Sequence, residues 1–299
     1  MYRIGFDVGG TKIEVAVLSE HGDVLLRERR KTERDKGYEH ILHTLNDLYL
    51  FALKTVGSHD HQVGLGLPGT IHPQTLRMLE GNTQAWVGKD IKTDLAKIFK
   101  APFKVENDAN CFALAEVKMG AGLRYEKEFQ VPVKNQIAIG VILGTGCGGG
   151  IYHSGKILSG AHGGGGEIGH SQLVSLGRSC YCGRTGCAES YVSGPAIEKS
   201  YFEKTNKTLA AAEIFKKTDA QSALVVKEYL QHLTSFLANL ATIFDPHFFV
   251  LGGGLSNQKE LYPYLNQELI GKVFLKTYVP KVLQAELGDS AGVIGAAWL

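Results

Sequence analysis

Two stretches of this 299-residue chain start in the same way. "YRIGFDVGGTKIEVAVLSEHGDVLLRERR" (2–30) alternates as a strand, turns at glycines, runs a second strand, turns at "EHGD" and runs a third. "QIAIGVILGTGCGGGIYHSGKIL" (136–158) follows the same plan, with a hairpin signal at Ser154-Gly155. An internal repeat of this kind constrains the fold more than any single motif, because each copy needs its own sheet and core. Between the copies the spacing predicts a helix over roughly 38–56, a buried strand at 63–67 and a helix over 90–100. A short strand at 103–106 and a helix over 107–120 complete the first half. Past the second copy come a long helix over about 220–243, a buried strand at 248–254 and a final helix in "GVIGAAWL". Strand meanders followed by alternating helices and strands, given twice, predict two α/β domains with a cleft between them. The polar segment "RYEKEFQVPVKNQ" places the boundary near 110–135, giving domains 1–120 and 121–299.

Composition narrows the classes of function. A formal charge of +2 offers no basic surface for nucleic acid, and 44% hydrophobic with 21% charged residues is ordinary for a soluble globular chain. No apolar run is long enough to span a bilayer, and "MYRIGFDVGG" has neither the basic start nor the apolar core of a signal peptide. Five cysteines, an odd number and locally clustered, suit a reducing compartment, so a cytoplasmic protein is expected.

The 37 glycines are clustered at 9–10, 64–69, 144–150, 160–169 and 252–254, without the serine or proline of a tether. A turn such as Gly9-Gly10-Thr11 reads in two ways. It is a tight hairpin with a structural Asp7, or it is a nest of N–H groups for phosphate with Asp7 toward Mg²⁺. Gly144, Gly146 and Gly149 spell a dinucleotide fingerprint, but that fingerprint needs a helix to start at the loop, and "GGGIYHSGKIL" reads as a hairpin. No P-loop motif occurs.

Residues 166–190, "GEIGHSQLVSLGRSCYCGRTGCAES", raise a separate question. His170 is followed by Cys180, Cys182 and Cys187, with Glu167 before the set and Glu189 after it. The pattern is open to a disulfide knot, a structural metal site or part of an active site. "NDAN" (107–110) is likewise open to a helix N-cap or to a base at a helix start.

Taken together, "DVGGTK" (7–12), "ENDANC" (106–111), "GTGCGGGIYHSGK" (144–156), "GEIGH" (166–170), "CYCGRTGCAE" (180–189) and "VLGGGLS" (250–256) resemble the ROK family of bacterial sugar kinases and related repressors. The resemblance runs in order from residue 2 to 299 and implies the duplicated ribonuclease-H-like fold of hexokinase and actin. It also implies that the last helix, 291–299, packs back on the N-terminal domain, and that the chain is a homodimer. By the same resemblance a structural Zn²⁺ is bound by His170, Cys180, Cys182 and Cys187 (loop 170–187). Cys₃His is a closed tetrahedral zinc set in its own right. Asp108 is the implied catalytic base, and Gly69, Asn107, Asp108, Glu167, His170 and Glu189 are the implied sugar-binding residues, with His170 sharing its ring between zinc and sugar. Mg-ATP is assigned to Asp7, Gly9, Gly10, Thr11 and Lys12, to Gly144, Thr145, Gly146 and Gly148, and to Gly252 and Gly253.

The implied activity is ATP-dependent phosphorylation of a hexose hydroxyl, expected at the 6-position. "NTQAW" (82–86), "SCYCG" and "GDSAGVIGAAWL" favour a fructose- or mannose-type sugar. N-acetylglucosamine kinase or glucokinase of the same family is the alternative, and "SGAHGGGG" (159–166) departs from both branches. A non-catalytic sugar-responsive regulator is the rival of another class. The first strand starts at Tyr2 and no basic recognition helix is on offer, which argues for the kinase.

Overall fold

The structure, a computed structural model, describes residues 1–80 and 86–299, so Asn82–Ala85 of "NTQAW" lie outside the described residues. The chain forms two compact units. Unit 1 comprises Met1–Leu123, Lys156–Gly166 and Leu287–Leu299, and unit 2 comprises Arg124–Gly155 and Glu167–Glu286. Neither unit is a single contiguous stretch.

In unit 1, β1 (Tyr2–Val8), β2 (Lys12–Leu18) and β3 (Val24–Lys31) form an antiparallel meander. Helix α1 (Tyr38–Val56) buries Ile41, Leu45, Leu48, Ala52 and Val56, the apolar stripe of a 3.6-residue repeat, and ends at Gly57 with a positive φ of 62°. Strand β4 (His61–Leu67) pairs parallel with β1. A small ribbon of β5 (Thr70–Ile71) and β6 (Met78–Glu80) follows, then α2 (Ile91–Ile98), capped by Asp90. Strand β7 (Phe103–Asn107) lies parallel to β4 and runs straight into α3 (Asp108–Met119). The sheet order is β3-β2-β1-β4-β7. Its core includes Ile4, Phe6, Val15, Leu65, Trp86 and Leu95.

The chain leaves unit 1 within α4 (Ala121–Phe129). The second meander is β8 (Ile137–Leu143) and β9 (Cys147–His153), turning at Ser154 and Gly155, both at positive φ, into β10 (Lys156–Ile157). After 156–166 in unit 1, unit 2 continues with α5 (Glu189–Val192), α6 (Gly194–Thr205), α7 (Ala211–Ile214) and α8 (Ala220–Phe244). A capping box between Asp219 and Ser222 starts α8. Strand β11 (Phe248–Gly252), α9 (Leu261–Lys272) and β12 (Lys281–Gln284) complete the unit. The sheet order is β10-β9-β8-β11-β12, with β11 parallel to both β8 and β12.

The two sheets therefore have the same order and strand directions, an antiparallel meander extended by two parallel strands. The fold is the duplicated actin/hexokinase-like α/β fold that the resemblance implies. The glycine turn after β8 ends at Gly146, and Gly148–Gly150 belong to β9. Close packing explains glycine inside that strand, since a Cβ on Gly149 would lie 2.2 Å from Ile168 Cδ1.

Helix α10 (Ala291–Ala297) returns to unit 1, where it packs on β1, β4 and α3. Backbone meets backbone there. A Cβ on Gly64 would lie 1.7 Å from the Ala296 carbonyl oxygen, and one on Gly295 would lie 1.7 Å from that of Cys111.

Candidate active site

In unit 1 the parallel strands β1, β4 and β7 end side by side. Asp7 is in register with Gly66, which is in register with Glu106, and Leu67 is in register with Asn107. The C-terminal ends of parallel strands are where open α/β sheets present their ligand-binding groups. Here they present Asp7, Gly69, Asn107 and Asp108 within one unit.

Asn107 is fixed on every side. Its Oδ1 accepts from the backbone N–H groups of Ala109 (2.8 Å) and Asn110 (3.3 Å), capping α3, while Nδ2 donates to the Gly69 carbonyl at 3.0 Å. With Oδ1 serving two donors, the amide meets a further group through its remaining N–H, as a donor. Asp108 is half-buried in the first turn of α3, and its Oδ1 accepts from Ala109 N–H at 2.9 Å. Gly69 sits at φ 127°, a conformation open to glycine and not to side-chain-bearing residues.

Asp7 is held up to about 6, first by burial and then by the charge of Glu14, which is its register partner on β2. Glu14 is fully buried and pairs with Arg27 (2.6 Å) and Arg29 (2.6 Å) from β3. Next to Asp7, the turn Gly9-Gly10-Thr11 is closed by Gly9 N–H on the Lys12 carbonyl at 2.9 Å. Thr32 clasps this turn twice, its N–H on the Thr11 carbonyl and its hydroxyl on the Gly9 carbonyl. Lys12 opens β2, and Arg34 stands beside Gly10, 3.8 Å from where a Cβ would be.

Unit 2 brings Gly144, Thr145, Gly146 and Gly148 to the end of β8, beside Gly252 and Gly253 at the end of β11. Gly253, at φ 81°, approaches the Leu143 carbonyl so closely that a Cβ would lie 2.5 Å from it. Glu189, at the start of α5, accepts from Cys147 N–H at 2.8 Å, and a Cβ on Gly146 would strike the same carboxylate. The carboxylate expected to face sugar thus also braces the glycine turn.

The ligand atoms of His170, Cys180, Cys182 and Cys187 all lie within 4.8 Å of one another. Cys182 Sγ and Cys187 Sγ are 3.6 Å apart, as are Cys180 Sγ and His170 Nδ1. Tetrahedral zinc with Zn–S bonds of ~2.3 Å separates its sulfurs by about 3.7 Å, so donor types and spacing suit that ion. Local chemistry builds the cage. Gly183 and Gly186 take positive φ, Cys180 N–H bonds the Arg184 carbonyl, and Arg178 ties the loop to the Ser190 and Ala196 carbonyls. His170 Nε2 faces the Tyr181 hydroxyl at 3.1 Å. Glu167 precedes the short 3₁₀ turn that carries His170.

The ROK family profile matches residues 3–299. The chain belongs to the ROK family. Among relatives of this ROK protein, the N-acetyl-D-glucosamine kinase of Pectobacterium carotovorum subsp. carotovorum (strain PC1) is 35% identical, over 99% of this chain and 97% of the relative. The ROK hexokinase of Thermus thermophilus superposes with a TM-score of 0.84 at 28% identity, covering 99% of this chain and 97% of the other. A ROK family glucokinase from Streptomyces griseus, solved with glucose and AMPPNP, gives 0.74 at 29% identity, covering 99% and 98%. The family and its sugar-kinase activity follow.

Several residues around the ROK site escaped the sequence reading. Glu14, in the otherwise apolar run "IEVAVL", carried a signal, since a carboxylate at a core position needs a cation and Arg27 and Arg29 lie two apart on the next strand. Arg34 and the contact of Glu106 with Ser159 carried none, because those neighbours come from parts of the chain far apart in sequence. Among the described residues no helix is long and apolar enough to cross a membrane.

Proposed function

We propose that this chain transfers the γ-phosphoryl group of Mg-ATP to N-acetylglucosamine, at the 6-hydroxyl, with Asp108 as the base. The observation that carries the reading is the arrangement at the junction of β7 and α3. Asn107 is locked with an N–H to donate, and a carboxylate stands next to it on the rigid first turn of a helix. A hydroxyl held by Asn107 can pass its proton to Asp108 as its oxygen attacks phosphorus in line, and the ADP oxygen leaves. Glu167 and Glu189 are assigned to other sugar hydroxyls. Gly9–Lys12 and Gly144–Gly146 are assigned to phosphate, where closely spaced backbone N–H groups offset its charge. Zinc held by His170, Cys180, Cys182 and Cys187 would supply a rigid crosslink that orients Glu167 and Glu189.

N-acetylglucosamine is preferred over the fructose- or mannose-type sugar that "SCYCG" and "GDSAGVIGAAWL" favour, because the relative at 35% identity over nearly the whole chain is named for it. The test is ADP release by purified protein with Mg-ATP and N-acetylglucosamine, glucose, mannose or fructose. The expected result is highest kcat/KM with N-acetylglucosamine and a loss of roughly 10²–10⁴-fold in kcat for Asp108→Asn. Fructose or mannose in first place would return the substrate to the other branch. Undiminished turnover by Asp108→Asn would remove the base.

A further inference from the structure

We propose that Glu106 and Ser159 form a positioning pair that holds Asn107 and Asp108 in register for the acceptor hydroxyl; the proposal rests on the roles given to those two residues above. Glu106 is the residue before Asn107 on β7. Its Oε1 accepts from the Asn107 backbone N–H at 2.9 Å and from Asn110 Nδ2 at 3.0 Å. Its Oε2 accepts from the Ser159 hydroxyl. One carboxylate thus joins the end of a strand, the first turn of a helix and a loop that reaches unit 1 from far along the chain.

Two facts raise what depends on it. Asn110 is fully buried and its Oδ1 has no partner among the described residues, so the bond to Glu106 anchors that amide. Removing Glu106 would leave the Asn107 N–H and the Asn110 amide without acceptors at the point where α3 begins. The Ser159 hydroxyl, in turn, comes from a loop closed on itself. Gly165 N–H bonds the Ser159 carbonyl at 2.8 Å, and Gly163 lies so close to the Ile71 carbonyl that a Cβ would be 1.9 Å from it. Ile71 is two residues past Gly69, whose carbonyl receives Asn107 Nδ2. The contacts therefore close a ring from Glu106 through Asn107, Gly69 and Ile71 to the loop, and back through Ser159. A shift anywhere in the ring moves Asn107, and misplacement by about 1 Å can slow an oriented reaction on the order of 10²-fold.

The test measures sugar and ATP kinetics, with melting temperatures, for the wild type, Glu106→Ala, Glu106→Gln, Ser159→Ala, the Glu106→Ala/Ser159→Ala double variant and Asp108→Asn. Glu106→Ala is expected to lower kcat/KM for the sugar by roughly 10–100-fold with KM for ATP within about 2-fold. Glutamine can accept both N–H donors through Oε1 and donate to the serine through Nε2, so Glu106→Gln should recover to within about 3-fold. Glu106 and Ser159 also line a cavity of about 310 Å³. Water there can replace the serine hydroxyl, so Ser159→Ala should lose only about 3–10-fold. The double variant should be no slower than Glu106→Ala, because the pair acts as one unit.

Wild-type kinetics for Glu106→Ala, or a Glu106→Gln variant as slow as Glu106→Ala, overturns the pair. So does a double variant whose losses multiply. If Glu106→Ala does not fold, Glu106→Gln and Ser159→Ala decide, and wild-type kinetics in Ser159→Ala overturns the proposal. Loss of turnover in Asp108→Asn beside full activity in Glu106→Ala sinks only the pair. Full turnover in Asp108→Asn sinks the base reading and the pair with it.

Discussion

At Asp7 the chain holds a carboxylate where burial and the neighbouring Glu14 work against its charge, and Lys12 and Arg29 offset them only in part. Its ordinary value is 3.8 and the native value is about 6, so native Asp7 binds a proton more tightly than the unfolded chain does. That contribution favours the native state fully below pH 3.8 and is lost as pH rises through about 6. Two pH units correspond to about 3 kcal/mol. Asp7→Asn should therefore unfold at higher urea than wild type at pH 7, by about 1–3 kcal/mol. The gap should close when the same denaturation is run near pH 4, and equal midpoints at pH 7 would show that Asp7 is not strained. Asn107 and Asp108 carry a different lesson at this scale. "NDAN" reads as a cap or as a base, and the geometry makes Asn107 the cap while leaving Asp108 to the first turn, so the two readings do not compete.

Helix α10 lies against β1, β4 and α3 with no side chain between backbones at Gly64 and Gly295. Gly64→Ala would force a methyl into the Ala296 carbonyl, so the helix must lift. The expected loss is about 3 kcal/mol, read as a lowered urea midpoint with an unchanged slope. Gly254→Ala, with no atom of the described residues within 4 Å of an added Cβ, should shift it far less. The metal loop allows a prediction of its own kind. Purified protein should contain about one zinc per chain by elemental analysis, and Cys187→Ser should contain none. Loss of that crosslink should lower Tm by roughly 5–10 °C. A zinc-free wild type that melts at the same temperature as the chelator-treated protein would dismiss the metal.

Across the whole molecule, unit 1 is finished by residues that arrive last, Leu287–Leu299. Within it the buried Glu116 accepts from Leu287 N–H at 2.8 Å and Ala121 N–H at 3.2 Å, fastening that returning segment to α3. Deleting 287–299 would expose the backbone-packed faces of β1, β4 and α3. The shortened chain should be recovered in inclusion bodies or should melt without a cooperative transition, whereas folding like the full chain would show α10 to be dispensable. Ligand linkage belongs to this scale as well. N-acetylglucosamine at about 100 times its Kd should add about 2.7 kcal/mol of stability. Asp108→Asn should keep most of that shift in Tm while losing turnover.

The repeat, the strand and helix periods and the glycine turns determined the two sheets and their shared topology, because hydrophobic alternation and positive-φ turns are local properties of a chain. The grouping of His170, Cys180, Cys182 and Cys187 was legible for the same reason, with three of the four inside eight residues. What only the tertiary structure decided are the partnerships of distant residues. Ser159 meets Glu106, and Tyr181 stands at His170. Which donor meets which carboxylate depends on how loops come together after the sheets have formed, and no local periodicity encodes that. The packing of Gly149 in β9 was hidden likewise, since the Ile168 side chain and the Gly140 carbonyl that leave no room for a Cβ there come close only in the folded sheet.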